Sequence, residues 1–125
     1  MPIARLIATV IDCPDPLALA RFYAALVGAT VAHESTDWVQ VNDADGRPVL
    51  AFQRVDDYRP PTWPAGARPQ YAHIDVAVDD LDASEAAVIA LGATKATEQP
   101  TPDEFRVYLD PAGRPFCTVR PGAPA

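Results

Sequence analysis

The sequence predicts an α+β fold built from two βαβββ modules, and three observations lead to this prediction. Each half of the chain reads as an apolar strand, then an amphipathic helix, then three short strands. The second half repeats the order of the first. Between them lies a stretch with four prolines in ten residues, 60–69, a composition typical of an extended loop.

An internal repeat supports the duplication. Residues 26–34 read LVGATVAHE, and residues 90–98 read ALGATKATE. Residues 37–50 read DWVQVNDADGRPVL and align with EFRVYLDPAGRPFC at 104–117, where a Gly-Arg-Pro triplet coincides. Matches in the same order indicate two copies of one supersecondary unit. We place module one at about residues 3–55, a linker at 56–69 and module two at about 70–120, within a single domain of residues 1–125.

The elements of module one follow from local signals. ARLIATVID is an apolar strand, and Asp15 with Pro16 is a good helix start because proline is tolerated at the first helical position. Apolar residues recur at helical spacing, so we predict a helix over 15–26 that ends before Gly28. Three strands follow: ATVAHES, WVQVN and PVLAFQRV.

Module two repeats these signals. YAHIDVAV is its first strand, and Asp80 or Asp82 begins a helix that we predict over 81–91, with Gly92 at its end. TKATEQ, FRVYL and PFCTV are the three strands that follow.

Composition limits the classes of function. The formal charge is −7 and no block of Lys or Arg occurs, so we expect no nucleic-acid partner. No apolar run is long enough to cross a bilayer, so we expect no membrane partner. Asp12 and Pro14 interrupt the first apolar run, which therefore predicts a strand rather than a signal peptide. Two cysteines form no disulfide framework, which favours a cytoplasmic location.

Two such βαβββ copies resemble the vicinal oxygen chelate (VOC) superfamily, which includes glyoxalase I, extradiol dioxygenases and the bleomycin-resistance binding proteins. The segments that carry the resemblance are DPLALARFYAALVGA at 15–29, HIDVAVDDLDASEAAVIALGA at 73–93 and DPAGRPF at 110–116. The resemblance implies a single glyoxalase-like domain whose curled mixed sheet surrounds a cleft, with the helices outside. We also expect a homodimer, because relatives form such clefts within or across chains and the sheet edges favour pairing.

In metal-dependent members of the superfamily, four positions bind one divalent cation. Carried over to this chain, they fall on Ala8, on Leu50 (or Ala51 if the register shifts), on His73 and on Cys117. Among them, His73 is the one retained ligand, and Cys117 offers a possible thiol where glyoxalases carry glutamate. The resemblance therefore implies an incomplete metal site, and we expect no cofactor. The alternative is a divalent metal bound through His73 and completed by Asp75 or Cys117.

Strand alternation gives the candidate site. His73 and Asp75 would lie on the same face of one strand, where the carboxylate could orient the imidazole for proton transfer or binding. They are the candidate catalytic residues, although His73 could also be a satisfied core residue, and Arg106 is a second possible partner of Asp75. Cys117 is more readily interpreted as an inert buried thiol than as a nucleophile. The candidate ligand-binding residues are Asp12, Trp38, Leu50, Phe52, Gln53, Tyr71 and Cys117.

A mostly apolar cleft with a few polar groups is typical of small-ligand sites. We therefore predict a small-molecule binding protein of the glyoxalase/bleomycin-resistance type, with a cationic or aromatic ligand. The alternative is a VOC-family enzyme of the lyase, isomerase or dioxygenase type, with His73 as general base or metal ligand. A third possibility is a partner-binding module whose cleft has no ligand.

Overall fold

The computed structural model describes residues 2–121, apart from the side chain of His33. The chain divides into two compact units with the boundary between Tyr58 and Arg59, so the proline-rich loop belongs to the second unit. The first unit contains β1 (Thr9–Cys13), α1 (Pro16–Val27), β2 (Thr30–Glu34), β3 (Trp38–Asn42) and β4 (Pro48–Arg54). The second contains β5 (Ile74–Ala77), α2 (Leu81–Ala90), β6 (Thr94–Lys95), β7 (Phe105–Leu109) and β8 (Pro115–Val119).

Both sheets have the same topology. Their strand orders are β1-β4-β3-β2 and β5-β8-β7-β6. In each sheet the first strand runs parallel to the last, and the other pairs are antiparallel. The predicted α+β class with two βαβββ modules is confirmed. Within residues 2–121, neither helix has the length and apolar character that a membrane span requires.

The α1 helix begins and ends where its sequence predicts. The Asp15 carboxylate accepts a hydrogen bond of 3.2 Å from the Ala18 backbone N–H, which satisfies one of the donors that a helix start leaves open. Gly28 follows the helix with a φ of 70°, a left-handed conformation that glycine adopts without strain. The Tyr23 ring of α1 stacks on Phe52 of β4 at 5.7 Å between centroids. This stacked pair fixes which face of the first sheet contacts the helix.

A β-bulge in β4 changes the faces on which two of the predicted site residues lie. Strand β3 pairs Asn42 with Pro48 and Val41 with Leu50, so Val49 is an extra residue on β4. In module two, Leu109 pairs with Pro115 and Tyr108 with Phe116, with no extra residue. Because one added residue reverses the alternation of side chains, the prediction that Leu50 and Phe52 face the cleft is wrong. Both belong to the face that packs on α1, and Phe52 is fully buried there.

The α2 helix is held differently from α1. Asp80 caps it, and its carboxylate accepts a 2.8 Å hydrogen bond from the Ala83 N–H. Leu81 and Val88 are its buried residues. The nearly buried Arg106 of β7 forms ion pairs with two carboxylates of α2, Asp82 at 2.6 Å and Glu85 at 3.5 Å. Charged groups therefore make up part of the contact between α2 and its sheet, and Arg106 is committed to this side.

Strand β6 is shorter than the predicted TKATEQ. The Gln99 side chain, rather than further residues of β6, forms hydrogen bonds with the backbone of β7. The Gln99 side-chain amide donates to the backbone carbonyls of Ala96 at 2.9 Å and Val107 at 2.8 Å. Its Oε1 accepts from the Val107 N–H at 2.9 Å. Gln99 thus satisfies the backbone of β7 where a continued β6 would have done so.

Candidate functional site

The candidate site is centred on the pair formed by His73 and Asp75. His73 immediately precedes β5, and Asp75 is the second residue of that strand. The His73 Nε2 lies 2.9 Å from the Asp75 Oδ1, a hydrogen-bonding distance. The side chains are 32% and 39% exposed, so both groups can meet a ligand. His73 is therefore not a core residue enclosed on all sides, and His73 rather than Arg106 is the partner of Asp75.

Cys117 completes a cluster of three groups. Strands β5 and β8 pair Asp75 with Cys117, so the thiol lies beside the carboxylate. The ligand atoms of His73, Asp75 and Cys117 all lie within 4.8 Å of one another. Burial raises the pKa of the Cys117 thiol to about 12, and the Asp75 charge and hydrogen bond act in the same direction. The thiol is therefore protonated at neutral pH and is a poor nucleophile.

An apolar layer lies next to this cluster on the same face of the sheet. Its buried members are Ala96, Val107, Cys117 and Val119, and the half-buried rings of Trp63 and Phe105 pack against them. Trp63 comes from the proline-rich loop of the same unit. Sequence reasoning missed Val107, although the alternation of FRVYL in register with PFCTV carries the signal. Polar groups beside aromatic and aliphatic side chains are the usual composition of a small-ligand site.

The 2.9 Å contact between His73 Nε2 and the Asp75 carboxylate determines what the imidazole can do. A neutral imidazole that donates through Nε2 keeps a lone pair on Nδ1. Asp75 holds this tautomer and limits the rotation of the ring. The pair can therefore accept a hydrogen bond or a proton from a ligand at Nδ1, while the carboxylate attracts a positive charge.

The same three residues are chemically suited to a metal ion. Imidazole, carboxylate and thiolate are all zinc ligands, and catalytic zinc sites commonly use three protein ligands. Tetrahedral coordination would separate the histidine nitrogen and the carboxylate oxygen by about 3.3 Å, more than the 2.9 Å of the present pair. The cluster therefore fits a metal after a small rearrangement that opens the His73–Asp75 bond and deprotonates Cys117.

Module one has no counterpart of the cluster. Aligned on the capping aspartates Asp15 and Asp80, His73 corresponds to Ala8 and Asp75 to Val10. Val10 pairs with Ala51 as Asp75 pairs with Cys117, so Ala51 rather than Leu50 occupies the position of the thiol. The corresponding side chains in module one are all aliphatic and none can bind a metal.

Three predicted ligand-binding residues do come together in module one. The Gln53 amide donates to the Asp12 carboxylate at 3.2 Å, and Trp38 pairs with Gln53 across β3 and β4. All three lie on the face opposite Phe52. If Leu50 faced the cleft, strand alternation would turn Gln53 away from it; the extra residue Val49 exchanges the two faces of β4 and places Gln53 beside Asp12.

Tyr71 is placed apart from the residues predicted to accompany it. It precedes β5 rather than forming part of it, and it is 96% exposed. It lines a groove of the second unit together with three arginines: Arg59, Arg68 and Arg114. Their wide spacing in the sequence gives no local signal of this grouping.

Comparisons with known proteins agree with this architecture. Residues 8–119 match the family model of the glyoxalase-like domain, and a search of curated proteins finds no match. A glyoxalase/bleomycin resistance protein/dioxygenase family enzyme from Burkholderia phytofirmans is 19% identical, with a TM-score of 0.67 over 94% of this chain and 98% of that one. The bleomycin-binding protein of Streptomyces verticillus is 17% identical, with a TM-score of 0.57 over 96% and 98%. The chain belongs to the glyoxalase-like domain family of the VOC superfamily.

Proposed function

We propose that this protein binds a small molecule at the His73–Asp75–Cys117 face of module two. The observation that supports this proposal best is the His73–Asp75 pair, with 2.9 Å between Nε2 and Oδ1, at the margin of the apolar layer of Val107, Val119 and Trp63. Apolar surface supplies affinity in such sites, and a few placed polar groups supply orientation. The three groups are linked to one another and leave the imidazole Nδ1 for the ligand.

The ligand that this face favours is cationic or aromatic. The Asp75 carboxylate is 39% exposed and attracts positive charge, and the net charge of −7 acts in the same direction. Trp63 and Phe105 offer aromatic surface for stacking or for a cation–π contact. The Streptomyces verticillus neighbour binds copper(II)-bleomycin, which supports small-molecule binding on this fold.

Each polar residue has a separate task in this proposal. Asp75 orients the imidazole and attracts the cation, and His73 receives a hydrogen bond at Nδ1. Cys117 stays protonated and donates to Asp75, since its pKa is raised to about 12. Loss of Asp75 should therefore affect binding through His73 as well as through charge.

The cluster also favours a second candidate, a metal-dependent enzyme of the VOC type. The observation behind it is the set of three ligand atoms within 4.8 Å. His73, Asp75 and Cys117 would hold the ion, which would supply Lewis-acid polarisation of a substrate oxygen. Metal analysis of protein purified without chelator separates the two candidates. Binding without metal predicts substoichiometric zinc, nickel and iron, whereas one equivalent that is lost in His73→Ala supports the enzyme.

Binding itself is tested by titrating isotopically labelled protein with a panel of aromatic and cationic compounds, bleomycin among them. The expected result is saturable change in the amide NMR signals of β5 and β8, weakened by Asp75→Asn. Gln40→Ala, on the sheet of module one, is the matched control and should change nothing. A panel that leaves β5 and β8 unperturbed contradicts the proposal.

We also propose that the protein is a homodimer. The first strands β1 and β5 each pair with one neighbour within their own sheet, which leaves a free edge. Light scattering at micromolar concentration should give about twice the chain mass of 13.4 kDa. A mass equal to one chain contradicts this assembly.

A further inference from the structure

The second unit contains a basic groove that the proposed function does not use. Its volume is about 330 Å³, and its lining includes Arg59, Arg68, Arg114, Gln70 and Tyr71. The other lining residues are two prolines and an alanine, so no acidic side chain lines it among the described residues. Three of the ten Lys and Arg residues of a chain with net charge −7 are therefore gathered in one place.

Two arginines outside the groove have carboxylate partners. Arg54 lies 2.8 Å from Asp37, and Arg106 lies 2.6 Å from Asp82. Within residues 2–121, neither Arg59 nor Arg68 forms an ion pair with a carboxylate. The like charges of Arg59 and Arg68 repel each other, and a bound anion would remove that repulsion.

Two of the arginines are held in place by the backbone. Arg68 Nε donates to the Pro60 carbonyl at 3.2 Å, and the Thr62 N–H donates to the Arg68 carbonyl at 2.7 Å. Arg114 belongs to a turn in which its N–H donates to Asp110 at 3.0 Å. That turn packs against the same proline, because a Cβ on Gly113 would lie 3.0 Å from the Pro60 Cβ. The two arginine backbones are thus fixed relative to each other through Pro60.

Two further groups in the groove are available to a ligand. The Gln70 Oε1 is a buried acceptor with no hydrogen-bond partner among the described residues. Buried polar atoms are nearly always hydrogen-bonded, and a ligand donor could bond to this oxygen where no described residue does. The Tyr71 ring is 96% exposed and can stack on a flat molecule.

We propose that this groove binds the phosphate or carboxylate group of a small molecule with a flat body. The guanidinium groups of Arg59, Arg68 and Arg114 receive the anion, since their planar donors match oxyanions. The flat body lies on Tyr71, and a donor of the ligand satisfies Gln70. The site is independent of His73, and the proposal does not require the function proposed for module two.

Calorimetric titration with phenyl phosphate, benzoate and inorganic phosphate tests this site. Phenyl phosphate should bind, and more tightly than inorganic phosphate because only the former has a ring for Tyr71. The double variant Arg59→Gln/Arg68→Gln should weaken it at least about tenfold. Arg21→Gln, an exposed arginine of α1, removes one positive charge outside the groove, as Arg59→Gln and Arg68→Gln each do alone, and should leave affinity within about twofold. If benzoate binds and phenyl phosphate does not, the anion is a carboxylate.

Three further variants separate the groove from general effects. Tyr71→Ala should weaken phenyl phosphate but not inorganic phosphate, and His73→Ala should change neither. Arg68→Lys keeps the charge and should retain part of the affinity, which excludes misfolding as the cause of loss. Absence of binding by all three anions, or equal losses in the groove variants and Arg21→Gln, would overturn the proposal.

Discussion

The two modules share one topology and differ in what each of them carries. Module one packs α1 on its sheet through a stacked Tyr23–Phe52 pair and a largely apolar helix face. Module two holds α2 partly through the ion pairs of Arg106 and carries the His73–Asp75 pair on the other face of the sheet.

This difference shows how a duplicated fold can divide its tasks. At the positions of the polar cluster, module one has Ala8, Val10 and Ala51, which add only apolar surface. Polar groups that are partly buried cost stability unless they are paired, and module two pairs them with one another. Module one therefore contributes mainly to stability and module two mainly to chemistry, and the following variants test that division.

The largest expected effect concerns the helix cores. Leu19→Ala in α1 should lower the free energy of unfolding by about 3–5 kcal/mol, because the side chain is almost completely buried and leaves a cavity. The same change at Leu81, in the first turn of α2, should cost about 2 kcal/mol. Urea denaturation measures both. Val27→Ala, at an exposed position of α1, is the control and should cost less than about 0.5 kcal/mol. Equal losses of stability in Leu19→Ala and Leu81→Ala would contradict the view that module one contributes more to stability than module two.

A smaller effect is expected for Gln99, the side chain that replaces the end of β6. Gln99→Ala leaves the Val107 N–H without its partner and removes one of the two donors to the Val107 C=O, so it should cost about 1–3 kcal/mol. Gln53→Ala in module one removes an exposed hydrogen bond to Asp12 and should cost less than about 0.5 kcal/mol. Urea denaturation measures both variants. Equal losses of stability in Gln99→Ala and Gln53→Ala would contradict this prediction.

Much of the fold could be predicted from the sequence because its signals are local. The capping aspartates Asp15 and Asp80 and the helix-ending Gly28 act over one or two turns. The bulge at Val49 could not be predicted, since it depends on how β3 pairs with β4 across a turn. Without this extra residue, strand alternation assigns Leu50 and Phe52 to the cleft face and turns Gln53 away from it, which is the reverse of the observed arrangement. The groove around Arg68 was missed for a similar reason, because tertiary structure joins residues that are distant in the chain.

Cys117 should make the stability depend on pH. Its folded pKa is raised from 9.0 to about 12, so the unfolded chain loses the thiol proton first. The contribution of the protonated Cys117 thiol to the free energy of unfolding is complete below pH 9.0, and it declines as pH rises from there towards about 12. The stability difference between the wild type and Cys117→Ala should therefore shrink over this range in denaturation curves. Cys13→Ala, at the other buried cysteine, serves as the comparison. If the stability difference between the wild type and Cys117→Ala does not change with pH, the raised pKa of Cys117 is not the cause of the pH dependence.

The smallest effect on stability is expected at the site itself. His73→Ala removes a side chain that is 32% exposed and leaves Asp75 accessible to water, so the melting temperature should stay nearly unchanged. Ligand binding or turnover should fall. A satisfied core histidine would behave in the opposite way, with a loss of about 1–3 kcal/mol and no specific loss of function. Thermal denaturation of wild type and variant distinguishes these outcomes.

The most direct test of the division between modules is the map of amide NMR shifts on titration with the aromatic and cationic panel. We predict that the changes concentrate at residues 73–77 and 115–119, and that His73→Ala removes them while Val10→Ala preserves them. Changes that concentrate instead at residues 9–13 and 48–54, and that survive His73→Ala, would contradict the assignment of the binding face to module two.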